Sequence, residues 1–459
     1  MSKYTKKIQE YKQEMLNNIA YLVEVPSIRD LYTKGVGSPF GENIKRAFDR
    51  FLEIANKLGF ACENDEGYAA HAEIGKGEEY VGVLAHLDVV DVQNIEEWET
   101  EPFSMIIKNN KIFGRGVNDD KGPLISALYA AKILNDMNVE WKRKVRIIVG
   151  GAEETTWECM EHYFKTHSQP TLGFSPDGNF PIVNGEKGIL GMKVSFKGEY
   201  MEEEICNIES RNKVNYVCDD LKVVFKRKNV DNILSYSKNA TEISLGDNEV
   251  TLIYKGKVSL SRNPQRGKNA MFLFVGDFYD FDFKEKGIVN MMNFIKDCLL
   301  DDFYGEKMGL YREDKEMGKS SICPMTIKWK NGKGEMSLDY RYPKNIEPSK
   351  IKNRIYELAK EYKFDVEIER EKKLLYVPSD SELIMALKEA YKKVMNEEAD
   401  TITKGGASYA RVLKNGVAFG ATFDGEEPNP HMPNENMSID SLMKATEIYC
   451  EALYRLACK

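Results

Sequence analysis

Gly114-Arg-Gly-Val-Asn-Asp-Asp-Lys-Gly-Pro123 joins an extended segment to a helix. Ile106, Ile107, Ile112 and Phe113 precede it as a strand-like run. Leu124, Ile125, Ala127, Leu128, Ala131 and Leu134 follow it at helical spacing. Proline is tolerated in a first helical turn, and Gly122 eases the tight entry. Asp119 and Asp120 sit at the junction itself. Adjacent carboxylates are poor core material, so they read either as a helix cap or as ligands for a cation.

The same junction recurs along the chain. The apolar run Tyr80–Ala85 ends in His86-Leu-Asp88, and Val145–Val149 runs into Gly150-Gly-Ala-Glu153-Glu154. Leu172–Phe174 is closed by Ser175-Pro-Asp177-Gly178. Helical patterns fill the spaces: Ile8, Tyr11, Met15, Ile19 and Leu22 early on, then Ile44, Phe48, Phe51, Ala55 and Leu58 with Gly59 to stop them. Strands alternating with helices predict an α/β domain with a mostly parallel, mixed sheet flanked by helices. The polar residues fall just beyond strand after strand, where open α/β sheets place their ligands.

After Gly185 the texture changes. Gly191–Phe196, Lys222–Phe225 and Val250–Tyr254 are strand-like, and 269–281 reads as a helix. Met325–Lys330 and Glu335–Tyr342 flank Asn331-Gly332, a strong hairpin signal. A helix follows from Ile351 to Tyr362, and Ser379-Asp-Ser-Glu382 reads as a capping box opening another. The expectation is an α+β domain at 185–377 inserted between 1–184 and 378–459. A chain of 459 residues also exceeds what one hydrophobic core usually supports.

Composition narrows the function classes. Apolar residues make up 42% and charged residues 30%, as in ordinary globular proteins. A net charge of −8 with no long basic block argues against a nucleic-acid partner. No apolar run approaches membrane-spanning length, so no membrane role is expected. The first residues form an amphipathic helix rather than an apolar signal core, and the eight scattered cysteines contain no C-x-x-C pair. Both point to a reducing, cytoplasmic setting.

The five histidines are 71, 86, 162, 167 and 431. Residues i and i+2 of an extended segment share a face, so Asp88 is placed to hold one ring nitrogen of His86 while the other binds metal. Glu153 and Glu154 repel one another unless a proton or cation lies between them. Asp177 reads as a ligand or an Asx-turn, and His431, in Asn429-Pro-His-Met-Pro433, as a ligand or an exposed loop residue. His71, His162 and His167 show no carboxylate partners in sequence and are taken as structural. Histidines and carboxylates without thiolate suit zinc, with manganese or cobalt as alternatives. Two histidines and three carboxylates exceed what one catalytic zinc needs, and a shared carboxylate would permit two metals.

These motifs, with Pro39-Phe-Gly-Glu42, Trp98, Pro102-Phe103 and Gly416-Val-Ala-Phe-Gly420, resemble the co-catalytic zinc peptidases. That family includes carnosinases, aminoacylases and PepV-type dipeptidases, the last being most similar. The likeness spans nearly the whole chain, with the motifs in family order. It implies a catalytic α/β domain interrupted by a lid domain, and two zinc ions bridged by Asp119. His86 and Asp177 would complete one metal site, Glu154 and His431 the other. Glu153 would be the general base and Asp88 the partner of His86. The implied activity is hydrolysis of dipeptides by a monomer through a zinc-activated water. The resemblance further implies substrate contacts from Asn215, from Arg341 on the substrate carboxylate, and from Ser408 in Gly405-Gly-Ala-Ser-Tyr-Ala410.

One departure bears on activity. Relatives carry a lid histidine where Gly256-Lys-Val-Ser-Leu260-Ser-Arg262 has Leu260. Loss of an oxyanion donor costs on the order of a hundredfold or more in turnover. Arg262 is cationic, always protonated and close in sequence. Cys218 and Asp91, each standing where proline is common, are milder departures. The alternatives to a dipeptidase are an N-acyl-amino-acid deacylase using the same site, or a catalytically impaired protein that binds a peptide or amino acid through its metals.

Overall fold

The buried apolar runs form the middle of a sheet. A computed structural model describes residues 3–198, 204–211, 214–228 and 230–458. Its first elements are α1 (Thr5–Val23), α2 (Glu42–Lys57), β1 (Ala61–Asp65), β2 (Ala69–Ile74), β3 (Tyr80–His86), β4 (Ile106–Lys108) and β5 (Lys111–Phe113). Then come α3 (Lys121–Asp136), β6 (Lys144–Gly150), α4 (Glu158–Thr166), β7 (Leu172–Ser175) and β8 (Ile182–Glu186). The chain divides into two compact units, one of 1–185, 375–403 and 408–459, the other of 186–374 and 404–407.

The first unit is built on a sheet of order β1-β2-β6-β3-β7, then Gly416–Ala418, β8 and Leu375–Tyr376. β3 runs parallel to β6 and β7, and Gly416–Ala418 parallel to β7. β2 and β1 continue antiparallel at one side, and β8 is antiparallel at the other. The sheet is therefore mixed with a parallel centre, as the alternation of elements predicts. β3 is buried along its whole length, which is why it reads as an unbroken apolar run. α3 is buried all round from Lys121 to Ala131, because it is packed on by α1 and by the C-terminal helix Ile439–Ala457. A Cβ on Gly122 would lie 2.2 Å from the Val117 carbonyl oxygen, so the entry to α3 closes only on glycine.

β1 and β2 have no counterpart among the strands expected from the sequence, and one local expectation is corrected. The helix Glu382–Met395 is capped by Ser381, whose side chain accepts from the Ile384 N–H, and not by Ser379. Ser379 instead lies 3.3 Å, oxygen to oxygen, from Thr401.

The second unit has its own core and an eight-stranded antiparallel sheet. Its central hairpin pairs Lys330 with Lys333. Asn331 and Gly332 both take positive φ, 52° and 69°, the geometry a two-residue turn needs to match strand twist. Among the described residues no helix is long and apolar enough to cross a membrane.

Candidate metal centre

β3, β6 and β7 end in register, with His86 opposite Gly150 and Val83 opposite Phe174. Parallel pairing thus carries His86, Glu153-Glu154 and Asp177 to one edge of the sheet. Ser175 Oγ donates to the Leu84 carbonyl at 2.7 Å and ties β7 to β3 just below that edge. The loop before α3 brings Asp119 to the same place, and the loop before Ile439–Ala457 brings His431.

The groups interlock. His86 Nε2 lies 3.0 Å from Asp119 Oδ1, and His431 Nε2 lies 3.0 Å from Asp119 Oδ2 and 3.0 Å from Glu154 Oε1. Asp119 therefore offers one oxygen to each imidazole. Within each of three sets the ligand atoms lie within 4.8 Å of one another: His86, Asp119 and Asp177; His86, Glu153 and Glu154; Asp119, Glu154 and His431. Burial opposes ionisation of Asp119, but hydrogen bonds to His431 and His86 outweigh it and hold its carboxyl below the usual range. Burial and Asp177 raise Glu153, and burial and Asp119 raise Glu154. Hydrogen bonds to Asp119 and Glu154 push His431 up to about 11. A set of crowded carboxylates that already draws cationic partners, together with imidazole nitrogens and no thiolate, fits divalent metals of the zinc class.

Asp88 departs from expectation in its contacts. His86 Nδ1 lies 2.9 Å from the backbone oxygen of Asp88, with the carboxylate 3.7 Å away. That carboxylate instead accepts the backbone N–H groups of Glu153 at 3.1 Å and Glu154 at 3.0 Å. It was buried to fix the loop after β6, and the carbonyl is left to set the His86 tautomer. Asp120 is fully buried and does not cap α3; its Oδ2 accepts weakly from the His86 N–H at 3.4 Å.

Three further residues support the cluster: Glu435 has no signal in the sequence, while Lys121 and Tyr409 lie within the Gly114–Pro123 and Gly405–Ala410 stretches. Glu435 is fully buried, and its carboxylate accepts from Arg115 Nη1 at 2.8 Å and from the N–H groups of Gly116, Asn118 and Asp119 at 3.0, 3.0 and 3.1 Å. It holds the loop that carries Asp119. Lys121 Nζ donates to the Leu22 and Val25 carbonyls, at 3.0 and 3.1 Å, anchoring the start of α3 to the end of α1. Tyr409 packs edge-on to His86, and its hydroxyl would lie 1.9 Å from a Cβ on Gly150, so the strand end requires glycine.

The remaining candidates stand apart from these sets. Asn215 and Arg341 belong to the second unit. Asn215 Oδ1 accepts from Arg370 at 3.0 Å, and Arg341 is buried, bonded to Asp339 at 2.8 Å and to the Gly405 carbonyl. Ser408 lies in the first unit and precedes the turn Tyr409–Val412 without capping it. The histidines taken as structural do meet carboxylates: His167 and His71 face Glu63, and His162 faces Glu66 at 3.3 Å. Strand pairing and helix packing supply those partners, which linear spacing hides.

Residues 82–455 match peptidase family M20/M25/M40. A putative dipeptidase of Bacillus subtilis strain 168 is 33% identical over 458 residues, covering 97% of this chain and 98% of its own. Among solved structures, human carnosine dipeptidase 1 superposes with a TM-score of 0.60 at 13% identity, over 99% of this chain and 98% of its own. An M20-family metallo-carboxypeptidase from Sulfolobus solfataricus does so with a TM-score of 0.59 at 21% identity, over 96% and 99%.

Proposed function

The chain belongs to peptidase family M20/M25/M40, and from that premise we propose that it is a metal-dependent dipeptidase acting through two zinc ions. Manganese or cobalt would satisfy the same donors. The observation that carries the reading is Asp119, which presents one oxygen to His86 and the other to His431, each at 3.0 Å. In the proposal Asp119 would serve both metals, His86 and Asp177 would hold one, and Glu154 and His431 would hold the other. When bound, such a pair polarises a peptide carbonyl and makes water nucleophilic near neutral pH.

The chain's own groups do the rest. Glu153 is the proposed base: a carboxylate oxygen takes the proton of the attacking water and delivers it to the departing amine nitrogen. Its backbone is held on both sides, the N–H by Asp88 and the carbonyl by the Trp157 indole N–H at 2.6 Å. That restraint supports a fixed base rather than a mobile surface acid. Arg341 is proposed to bind the substrate carboxylate, with Asn215 and Ser408 as further substrate contacts; a guanidinium fork suits a carboxylate. The proposed setting is the cytoplasm and the proposed state a monomer.

Glu153→Gln tests the reading. Metal stoichiometry should be unchanged while dipeptide turnover falls by roughly 10²–10⁴-fold. Unchanged turnover would remove Glu153 from the chemistry. Leu260 is the specific observation favouring a second reading, a metal-bound peptide or amino-acid binder that has lost hydrolysis. In the hydrolytic reading Arg262 supplies the missing positive charge. An N-acyl-amino-acid deacylase would differ in accepting substrates without a free amine, which a substrate panel separates.

A further inference from the structure

A second cluster of metal-ligand type lies in the first unit on other elements, at β1, β2 and the end of α4. Antiparallel pairing sets Glu63 directly opposite His71, and opposed side chains share a face of the sheet. α4 ends at Thr166, and His167 turns into extended backbone while its N–H still bonds the Tyr163 carbonyl at 3.0 Å. The imidazole of His167 is thereby delivered to the same face, stacked on the Tyr163 ring at 4.2 Å.

Tyr163 orients both histidines. His167 Nδ1 lies 3.2 Å from the Tyr163 carbonyl oxygen and 2.9 Å from Thr166 Oγ1. A carbonyl can only accept, so Nδ1 carries the proton and a neutral ring presents a lone pair at Nε2. His71 Nδ1 lies 3.0 Å from the Tyr163 hydroxyl, an oxygen that also accepts from Arg146 Nη1 at 3.3 Å and keeps a second lone pair for a His71 Nδ1–H. Both Nε2 atoms then converge on one carboxylate: His167 at 3.1 Å from Glu63 Oε1, His71 at 3.8 Å from Oε2. All three ligand atoms fall within 4.8 Å of one another. Zinc bonds of about 2.1 Å give a tetrahedral edge of about 3.4 Å, between those two separations. The nearby cation Arg146 is bound to Glu73 at 2.7 Å and donates to the Tyr163 hydroxyl at 3.3 Å. Glu63 is exposed, which leaves the outer side of the cluster open to a water ligand.

We propose that Glu63, His71 and His167 form a separate divalent-metal site of the zinc class, which fastens the end of α4 to the β1–β2 hairpin. It takes one ion through two imidazoles, one carboxylate and solvent. Its role is structural, because it joins the end of α4 to the paired strands β1 and β2. It does not depend on the dipeptidase reading.

The test uses the full chain, stripped of metal by chelator and titrated with Zn²⁺ alone. Wild type is compared with Glu63→Gln and with His167→Gln, two positions outside the hydrophobic core. Each variant should bind one equivalent of zinc fewer than wild type and show a smaller zinc-dependent rise in melting temperature. The metal-free melting temperature serves as the control for folding. Dipeptide hydrolysis, where wild type has it, should stay within about twofold, since neither residue touches the Asp119 cluster. Equal zinc equivalents in all three proteins would overturn the proposal and leave Glu63 as an ion-pair partner only. The difference in equivalents is readable even if wild type hydrolyses no dipeptide, so the two proposals fail separately.

Discussion

Glu435 performs no chemistry in this account, yet one guanidinium and three backbone N–H groups converge on its carboxylate. Each oxygen accepts two of these bonds, so no orientation of an amide could replace it: one pair of donors would always face an NH₂ group. Glu435→Gln should therefore destabilise by about 3 kcal/mol, as expected for a buried pair that loses one charge. It should also weaken metal binding, because Asp119 sits on the loop that Glu435 holds. Thermal unfolding and a zinc titration check both effects; a variant with wild-type melting and affinity would mean that the loop is held by something else. Nothing in Asn434-Glu435-Asn436 announces this role. The placement of His86, Glu153-Glu154 and Asp177 was legible, because each follows a strand-like run. Their support was not, because a buried acceptor is defined by donors more than three hundred residues away along the chain.

Sheet position governs the elements in the same way. β3 and β7 are central and buried throughout, so continuous apolar runs revealed them, and in β6 the same run is broken only by the half-buried Arg146. β1 and β2 escaped for the opposite reason. Ala61-Cys-Glu-Asn-Asp65 is polar and Ala69-Ala-His-Ala-Glu-Ile74 is rich in alanine, so neither carries a strand signal, and pairing alone decides them. Glu73 on β2 shows what that pairing contributes. It faces Arg146 across the β2–β6 ladder and bonds Arg146 at 2.7 Å and Lys144 at 3.0 Å. Burial opposes its ionisation, but those hydrogen bonds outweigh burial and hold its pKa below the usual carboxylate range. A depressed folded pKa contributes stability above the unfolded value, about 4.3, and loses it as pH falls through the folded value. Glu73→Gln should accordingly cost about 1–2 kcal/mol at pH 7. The gap to wild type should close as pH falls below about 4. A constant gap across that range, measured by denaturant unfolding, would contradict the pairing argument.

The whole chain falls into two units, each with its own sheet and core. Beyond Gly185 antiparallel strands and a hairpin replace the alternation of strand and helix. All of the carboxylate and imidazole groups around Asp119 belong to the first unit. Metal removal should therefore act on that unit. A ligand present at a hundred times its dissociation constant stabilises by about 2.7 kcal/mol, so chelation should lower the melting temperature and zinc should restore it. Melting that ignores both would show that no metal of consequence binds.

Peptide hydrolysis driven by metals at the Asp119 cluster is the proposed activity. Its most direct test is dipeptide hydrolysis by the wild-type chain, before chelation, after chelation, and after zinc or manganese is added back. Turnover should be abolished by the chelator and restored by the metal. Hydrolysis that survives complete removal of metal, or its absence from protein with its metals bound, would contradict it.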